Sequence, residues 1–278
     1  MPHTAVRAAT EGDMPAVRGV AERFRLLSGW HPGSPDFLDA ERAFGTLLLA
    51  PGGEDGSAAG FGGTLRRGDL THLGDLFVLP AHQSSGVGRT LLSRLLSGDG
   101  PKVTFASSDP RAMSLYVRHG LRPWCPLLYL TGPPAGLPAP PVRITTAETT
   151  AETTAALDAD VSGGHRAGTL TWYAALPGVT AYTTDAGYAF ARTTADGTVI
   201  GPAGGTTPHD CATAVLGALA ATAPSPHPAK LAVPGPHPLV PLLLGTGWRI
   251  ADLDTFMADD AALALIRPDR YVPHPDLG

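Results

Sequence analysis

The stretch that most constrains the fold runs from His72 to Leu96, HLGDLFVLPAHQSSGVGRTLLSRLL. Apolar residues suited to a strand end at Pro80. A turn of small residues follows, Gln83-Ser84-Ser85-Gly86-Val87-Gly88, and then a helix with Leu91, Leu92, Leu95 and Leu96 on one face. Small residues let the backbone approach a ligand closely, and the first amides of a helix have no intrahelical partner. A strand, turn and helix in this order present several N–H groups and the positive helix end to an anion.

The surrounding pattern is α/β. Strands are predicted over 6–9, 46–50, 57–67, 71–79 and 103–106. Asp13 with Pro15, and Ser34 with Pro35, predict the starts of two helices ahead of the second strand. Pro51 to Gly56, through Glu54 and Asp55, reads as a hairpin turn.

Gln83-x-x-Gly86-x-Gly88 resembles the Q/R-x-x-G-x-G/A pyrophosphate loop of the GNAT superfamily of N-acetyltransferases, and Leu76-Phe77-Val78-Leu79-Pro80 resembles that family's L-x-V-x-P strand end. Downstream, Asp109-Pro110-Arg111-Ala112-Met113-Ser114-Leu115-Tyr116-Val117-Arg118-His119-Gly120-Leu121 is similar to N-P-x-A-x-x-L-Y-x-x-x-G-F, with Asp for Asn and Leu for Phe. Two such motifs in the right order, separated by a predicted strand, reinforce one another. The resemblance implies a mixed, mostly antiparallel sheet flanked by helices, with two central strands splayed to admit acetyl-CoA.

The stretch 132–142, GPPAGLPAPPV, is rich in proline and glycine and reads as a linker. The pattern restarts beyond it. Val142-Arg143-Ile144-Thr145-Thr146 echoes Val6-Arg7-Ala8-Ala9-Thr10, Lys230-Leu231-Ala232-Val233 echoes Lys102-Val103-Thr104-Phe105, and Leu244-Gly245-Thr246-Gly247-Trp248-Arg249 echoes Val117 to Arg122. The expectation is two tandem GNAT-like domains: 1–131 catalytic, and 143–278 a degenerate copy that is structural or shapes a substrate pocket. In the copy, Asp210 stands for Gly86, Ala212 for Gly88, Pro208 for Ser84 and Leu243 for Tyr116. Pro208 removes a donor, and the Asp210 carboxylate would fill the anion site from within.

The resemblance assigns cofactor contacts to Phe77, Val78, Gln83, Ser84, Ser85, Gly86, Val87, Gly88, Arg89, Asp109 and Ala112. The Val78 amide would polarise the acetyl oxygen, and the loop amides would bind pyrophosphate. Tyr116 stands at the family's proton-donor position. A phenol of pKa near ~10 suits a leaving thiolate near ~8.5. His72 lies four residues before Leu76, where many relatives carry a general-base glutamate. Period-two alternation puts it on the face opposite Asp75, and its imidazole is the candidate base. Trp30, Asp36, Arg166 and Trp172 are candidates for the substrate mouth.

Net charge is −5, which argues against nucleic acid as the main partner and suits a cationic substrate. With 43% apolar and 16% charged residues the chain can build a full core. Cys125 and Cys211 offer neither a disulfide framework nor zinc spacing, and no metal is expected. No apolar run reaches membrane length and no signal-peptide pattern opens the chain, so a cytoplasmic enzyme is expected. The anticipated reaction is acetyl-CoA-dependent acetylation of a primary amine on a small molecule, a cationic metabolite or aminoglycoside-like antibiotic. A protein or peptide amine acetyltransferase and a non-catalytic acyl-CoA sensor stay open as alternatives, as does the oligomeric state.

Overall fold

A computed structural model describes residues 6–53, 56–138, 145–146, 150–223 and 227–278. The predicted turn residues Glu54 and Asp55, the predicted strand start at Val142-Arg143-Ile144 and residues 139–142 of the predicted linker lie outside these.

The first half runs β1 (Arg7–Ala8), α1 (Met14–Arg23), α2 (Phe37–Phe44), β2 (Gly45–Pro51), β3 (Ala58–Arg67), β4 (Leu70–Val78), α3 (Val87–Leu95), β5 (Lys102–Ala106), α4 (Pro110–Arg118) and β6 (Arg122–Gly132). Asp36, rather than Ser34, starts α2. Its carboxylate accepts from the amides of Leu38 and Asp39, and the Asp39 carboxylate accepts from the Asp36 amide. A carboxylate also matches the positive helix end, and Arg18 bridges both acids.

The second half repeats the order: β7 (Thr145–Thr146), α5 (Thr150–Ser162), α6 (Ala167–Ala174), β8 (Val179–Thr183), β9 (Gly187–Thr194), β10 (Gly197–Gly205), α7 (Pro208–Thr222), β11 (Ala229–Pro234), α8 (Leu239–Gly245) and β12 (Arg249–Ala258). Two further elements follow, α9 (Asp260–Leu265) and β13 (Tyr271–Val272). Helix α7 is apolar nearly all round, and it is buried accordingly.

One sheet joins the two halves in the order β1-β2-β3-β4-β5-β12-β6-β11-β10-β9-β8-β7. Read from either end, the order is the same set of positions in the two repeats. At its centre the halves exchange strands. β12 lies between β5 and β6, and β6 lies between β12 and β11, all antiparallel. The expected division at 132–142 did not include this exchange: Gly132 belongs to β6, and β5 takes its partner from Thr255–Ala258. Cores are shared as well, since Met14, Val17 and Phe37 pack in one cluster with Tyr173 and Phe190.

In each half the fourth and fifth strands begin in parallel and then part. β4 and β5 pair only over Thr71–Leu73 and Lys102–Thr104, and β10 and β11 only over Thr198–Ile200 and Ala229–Leu231. In the first half the parting leaves a gap. In the second, β13 enters it and pairs with Ala203 and Gly204 of β10. No helix of the described residues is long and apolar enough to cross a membrane.

Beneath β13 lies a buried ion pair. Arg166 donates from Nε and Nη2 to the Asp158 carboxylate at 2.9 Å each, and from Nη2 to the Tyr271 hydroxyl at 2.9 Å. The Tyr188 hydroxyl donates to the same carboxylate. Removing one member of a buried pair strands the other charge. Asp158→Ala should therefore lower stability by about 3–5 kcal/mol in urea unfolding. A double replacement of Asp158 and Arg166 by apolar residues of similar volume should recover much of that loss.

Candidate active site

The gap between β4 and β5 originates in one irregularity. β3 pairs with β4 as Thr64↔Leu73 and then as Gly63↔Asp75, so Gly74 is an extra residue bulged out of the ladder. A bulge resets side-chain alternation. His72 before it and Asp75 after it therefore line the same cavity, which corrects the expectation that they face opposite ways.

On one side of the gap lies an open cleft of about 550 Å³, lined by Leu76 and Val78 of β4, Gln83, Ser84, Gly86, Gly88, Arg89, and Asp109 to Ala112 with Arg118. Gly86 caps α3 at φ 94°, a left-handed conformation suited to glycine, and having no side chain it leaves the first amides of the helix uncapped. Its first amides are left for a ligand. The Gln83 side chain donates to the Val78 carbonyl at 3.0 Å and accepts from Arg111 at 3.1 Å. Arg111 also pairs with Asp109, the N-cap of α4, which holds that carboxyl down to about 2. A cleft with a free helix start and arginines 89, 111 and 118 fits an elongated phosphate-bearing cofactor. Ser85 and Val87 point elsewhere: Ser85 Oγ donates to the His82 carbonyl, and Val87 is buried in the core. Phe77 packs on Phe24 and Phe61, at centroid distances of 5.0 and 5.8 Å.

A second cavity of about 410 Å³ shares Leu76, Val78, Gln83, Asp109 and Ala112 with the cleft. Its further walls include Phe24, Phe77, Phe105, Tyr116, Tyr129, Asp75, Asp254 and Asp276. Tyr116 is buried, and burial first, then Asp75, pushes its phenol above the ordinary tyrosine value. The Tyr129 hydroxyl donates to Asp254 at 2.7 Å, and the Trp30 indole N–H donates to Asp276 at 2.9 Å. Among the described residues no lysine or arginine forms an ion pair with Asp75, Asp254 or Asp276. Burial, then the Asp276 charge, pushes the Asp75 carboxyl up to about 7.

His72 lines this cavity but is not placed to take a proton. Arg67 Nη2 lies 3.1 Å from its Nδ1; a guanidinium only donates, so Nδ1 accepts and the ring hydrogen sits on Nε2. Burial, then the charges of Arg67 and Arg166, holds the imidazole well below its usual range.

The expected substrate residues fall outside both cavities. Trp30, Asp36 and Trp172 line a separate outer cleft of about 690 Å³. There Arg192 lies over the Trp30 ring at 3.9 Å, and Trp30 and Trp172 meet at 6.3 Å. Arg166 is consumed by Asp158. These side chains were singled out by type, and packing or pairing uses them. Conversely, sequence reasoning missed Asp75, Glu41, Tyr129, Asp254 and Asp276. The bulge hid the first, and strand exchange brings Asp254 from the far half.

In the second half, Thr207 Oγ1 accepts from the Asp210 amide, while the Asp210 carboxylate accepts from the Thr207 amide and hydroxyl. That helix start is capped from within, and β13 fills the strand gap. Titration with acetyl-CoA should therefore saturate at one equivalent per chain. Gly86→Asp should weaken binding by about 2 kcal/mol or more, roughly 30-fold, through like charge beside pyrophosphate. Gly86→Asn, which meets the same backbone demand without charge, should lose much less by calorimetry.

Residues 18–121 match the model of the Acetyltransferase (GNAT) family. Solved structures share the architecture over nearly the whole chain. A putative acetyltransferase from Pyrococcus horikoshii aligns with a TM-score of 0.71 at 14% identity, covering 100% of this chain and 97% of that one. The GCN5-related N-acetyltransferase from Sphaerobacter thermophilus gives 0.59 at 16%, covering 93% and 96%. A tandem GNAT protein from the clavulanic acid biosynthesis pathway gives 0.58 at 16%, covering 92% and 98%. None of the curated proteins matches the sequence.

Proposed function

We propose that this chain, whose residues 18–121 match the Acetyltransferase (GNAT) family model and whose fold is shared with a tandem GNAT protein, uses acetyl-CoA to acetylate a primary amine of a small cationic molecule. The observation that carries this reading is the shared wall between an arginine-lined cleft and a carboxylate-lined cavity. One suits a polyanionic donor and the other a cationic acceptor. A cationic metabolite, or one ring of an aminoglycoside-like antibiotic, fits the second.

When bound, acetyl-CoA supplies the thioester that the amine attacks. The amides at the start of α3, with Arg89 and Arg118, hold its phosphates. The free edge of β4 at Leu76–Val78 aligns the pantetheine arm, and the Val78 amide offers a donor to the acetyl oxygen. Tyr116, kept neutral by burial, gives a proton to the departing sulfur. Asp254 and Asp276, both from the second half, attract the acceptor. The second half thus acts as scaffold and selector and not as a second catalyst.

A panel of small amines assayed for thiol release tests the reading. Diamines and polyamines should outpace neutral amines of similar size. Tyr116→Phe should lower kcat by roughly 10²–10⁴ with little change in the KM for acetyl-CoA. Undiminished kcat in Tyr116→Phe would remove the phenol from the reaction.

A further inference from the structure

An alkylammonium acceptor must lose a proton before its nitrogen can attack, and His72 has its lone pair engaged. The cavity contains one other arrangement built to receive it. Asp75 lines the cavity at 8% exposure. Behind it Glu41 of α2 is fully buried, and no N–H or O–H group of a non-carboxyl residue reaches either of its oxygens among the described residues. Its carboxyl fits because glycines face it. A Cβ at Gly63 would fall 1.7 Å from Oε2, and one at Gly74 would fall 2.5 Å from Oε1. The bulge that turns Asp75 inward thus also makes room for its neighbour.

We propose that Asp75 is the catalytic proton acceptor for the ammonium of the substrate, and that Glu41 positions it by sharing one proton across the carboxyl pair. This rests on the acetyl-transfer reading above. Two carboxyls this close do not both ionise, and the more deeply buried one retains the proton. Glu41 is accordingly raised well above the carboxylate range, first by burial and then by Asp75. It donates to Asp75, whose outward oxygen stays basic. The groups around Asp75 are Glu41 of α2, Asp276 after β13, Asp254 of β12, Tyr116 of α4, Tyr129 of β6 and His72 of its own strand, and the Asp36 charge at the N-cap of α2 adds to theirs. None brings a positive charge, so the arriving ammonium supplies it.

The transfer balances as follows. An N–H bond of the ammonium breaks and its proton goes to Asp75. The freed lone pair forms the C–N bond at the thioester carbon as the C–S bond breaks, and Tyr116 gives its proton to sulfur. The second proton lost by nitrogen replaces the one Tyr116 gave. Asp75 releases its own to solvent, so each turnover yields one amide, one thiol and one proton.

Two acceptors separate this role from a structural one: 1,4-diaminobutane, an ammonium at neutral pH, and benzhydrazide, already neutral there. Asp75→Asn should lower kcat/KM for the diamine by roughly 10²–10⁴ and for the hydrazide by less than about tenfold. With the diamine, wild-type kcat/KM should rise through an ionisation near neutrality that Asp75→Asn abolishes. Glu41→Gln, which still donates, should keep that limb, and Glu41→Leu should move it to higher pH. Urea unfolding supplies a reading independent of turnover. A carboxyl raised in the folded state stabilises below its unfolded value, and that stability is lost as pH rises through the folded value. Wild-type stability should therefore fall between about pH 4 and 7, and Asp75→Asn should flatten the fall. Equal losses with both acceptors, or an Asp75→Asn protein with wild-type kinetics and unfolding profile, would overturn the proposal. Failure of the acetyl-transfer reading registers separately, as no thiol release with either acceptor while the stability difference persists; that result removes the proton-acceptor role too.

Discussion

The extra residue at Gly74 governs the active site. Up to Leu73, β4 is held by β3 on one edge and β5 on the other. One residue later the β3 register has slipped and the β5 pairing has stopped. The free edge that results is what a cofactor arm can lie along, and the gap is what joins the two faces of the sheet. Without the slip, Asp75 would point away from the cavity and the hydrogen-bonding capacity of β4 would be spent on β5. A single local irregularity thus creates the passage, the docking edge and the orientation of the buried carboxyl pair.

The second half meets the same geometric problem and solves it differently. β10 and β11 part at the corresponding place, which would leave backbone groups unsatisfied in the interior. β13 satisfies two of these positions, and Tyr271 anchors it to Arg166. The segment then continues past His274, whose Nδ1 accepts from the amides of Asp276 and Leu277, and presents Asp276 to the cavity of the first half. The closure of one site and the furnishing of the other are made by the same eight residues, 271–278.

Much of this was legible in the sequence because it is local. The strand–turn–helix from His72 to Leu96 is fixed by apolar spacing and by small turn residues, and the repeat after the proline-rich stretch is visible in matched segments. The self-capped start of α7 was foreshadowed by Asp210, though the sequence reading did not single out its partner Thr207. The carboxylate-lined cavity was not legible, for two physical reasons. Alternation along a strand holds only until a bulge, so His72 was preferred to Asp75. Asp254 and Asp276 reach the cavity through long-range pairing, which leaves no mark at their own positions. Trp30 and Trp172 were attractive as residue types, yet aromatic rings near a loop serve packing as readily as binding.

The exchange of β6 and β12 also sets the order in which this chain can become a protein. Residues of β5 and β12 that pair, such as Ala106 and Thr255, stand roughly 150 residues apart in sequence, and contacts of that separation close slowly. A nascent first half leaves the ribosome with the open edge of β5 and an unpaired β6, two strand edges able to seize a neighbouring chain. Only when the stretch Arg249–Ala258 has been synthesised can both edges be covered from within. Synthesis of this chain therefore passes through a long interval in which β1 to β5 can already pair with one another while the strand that covers β5 and β6 has yet to be made.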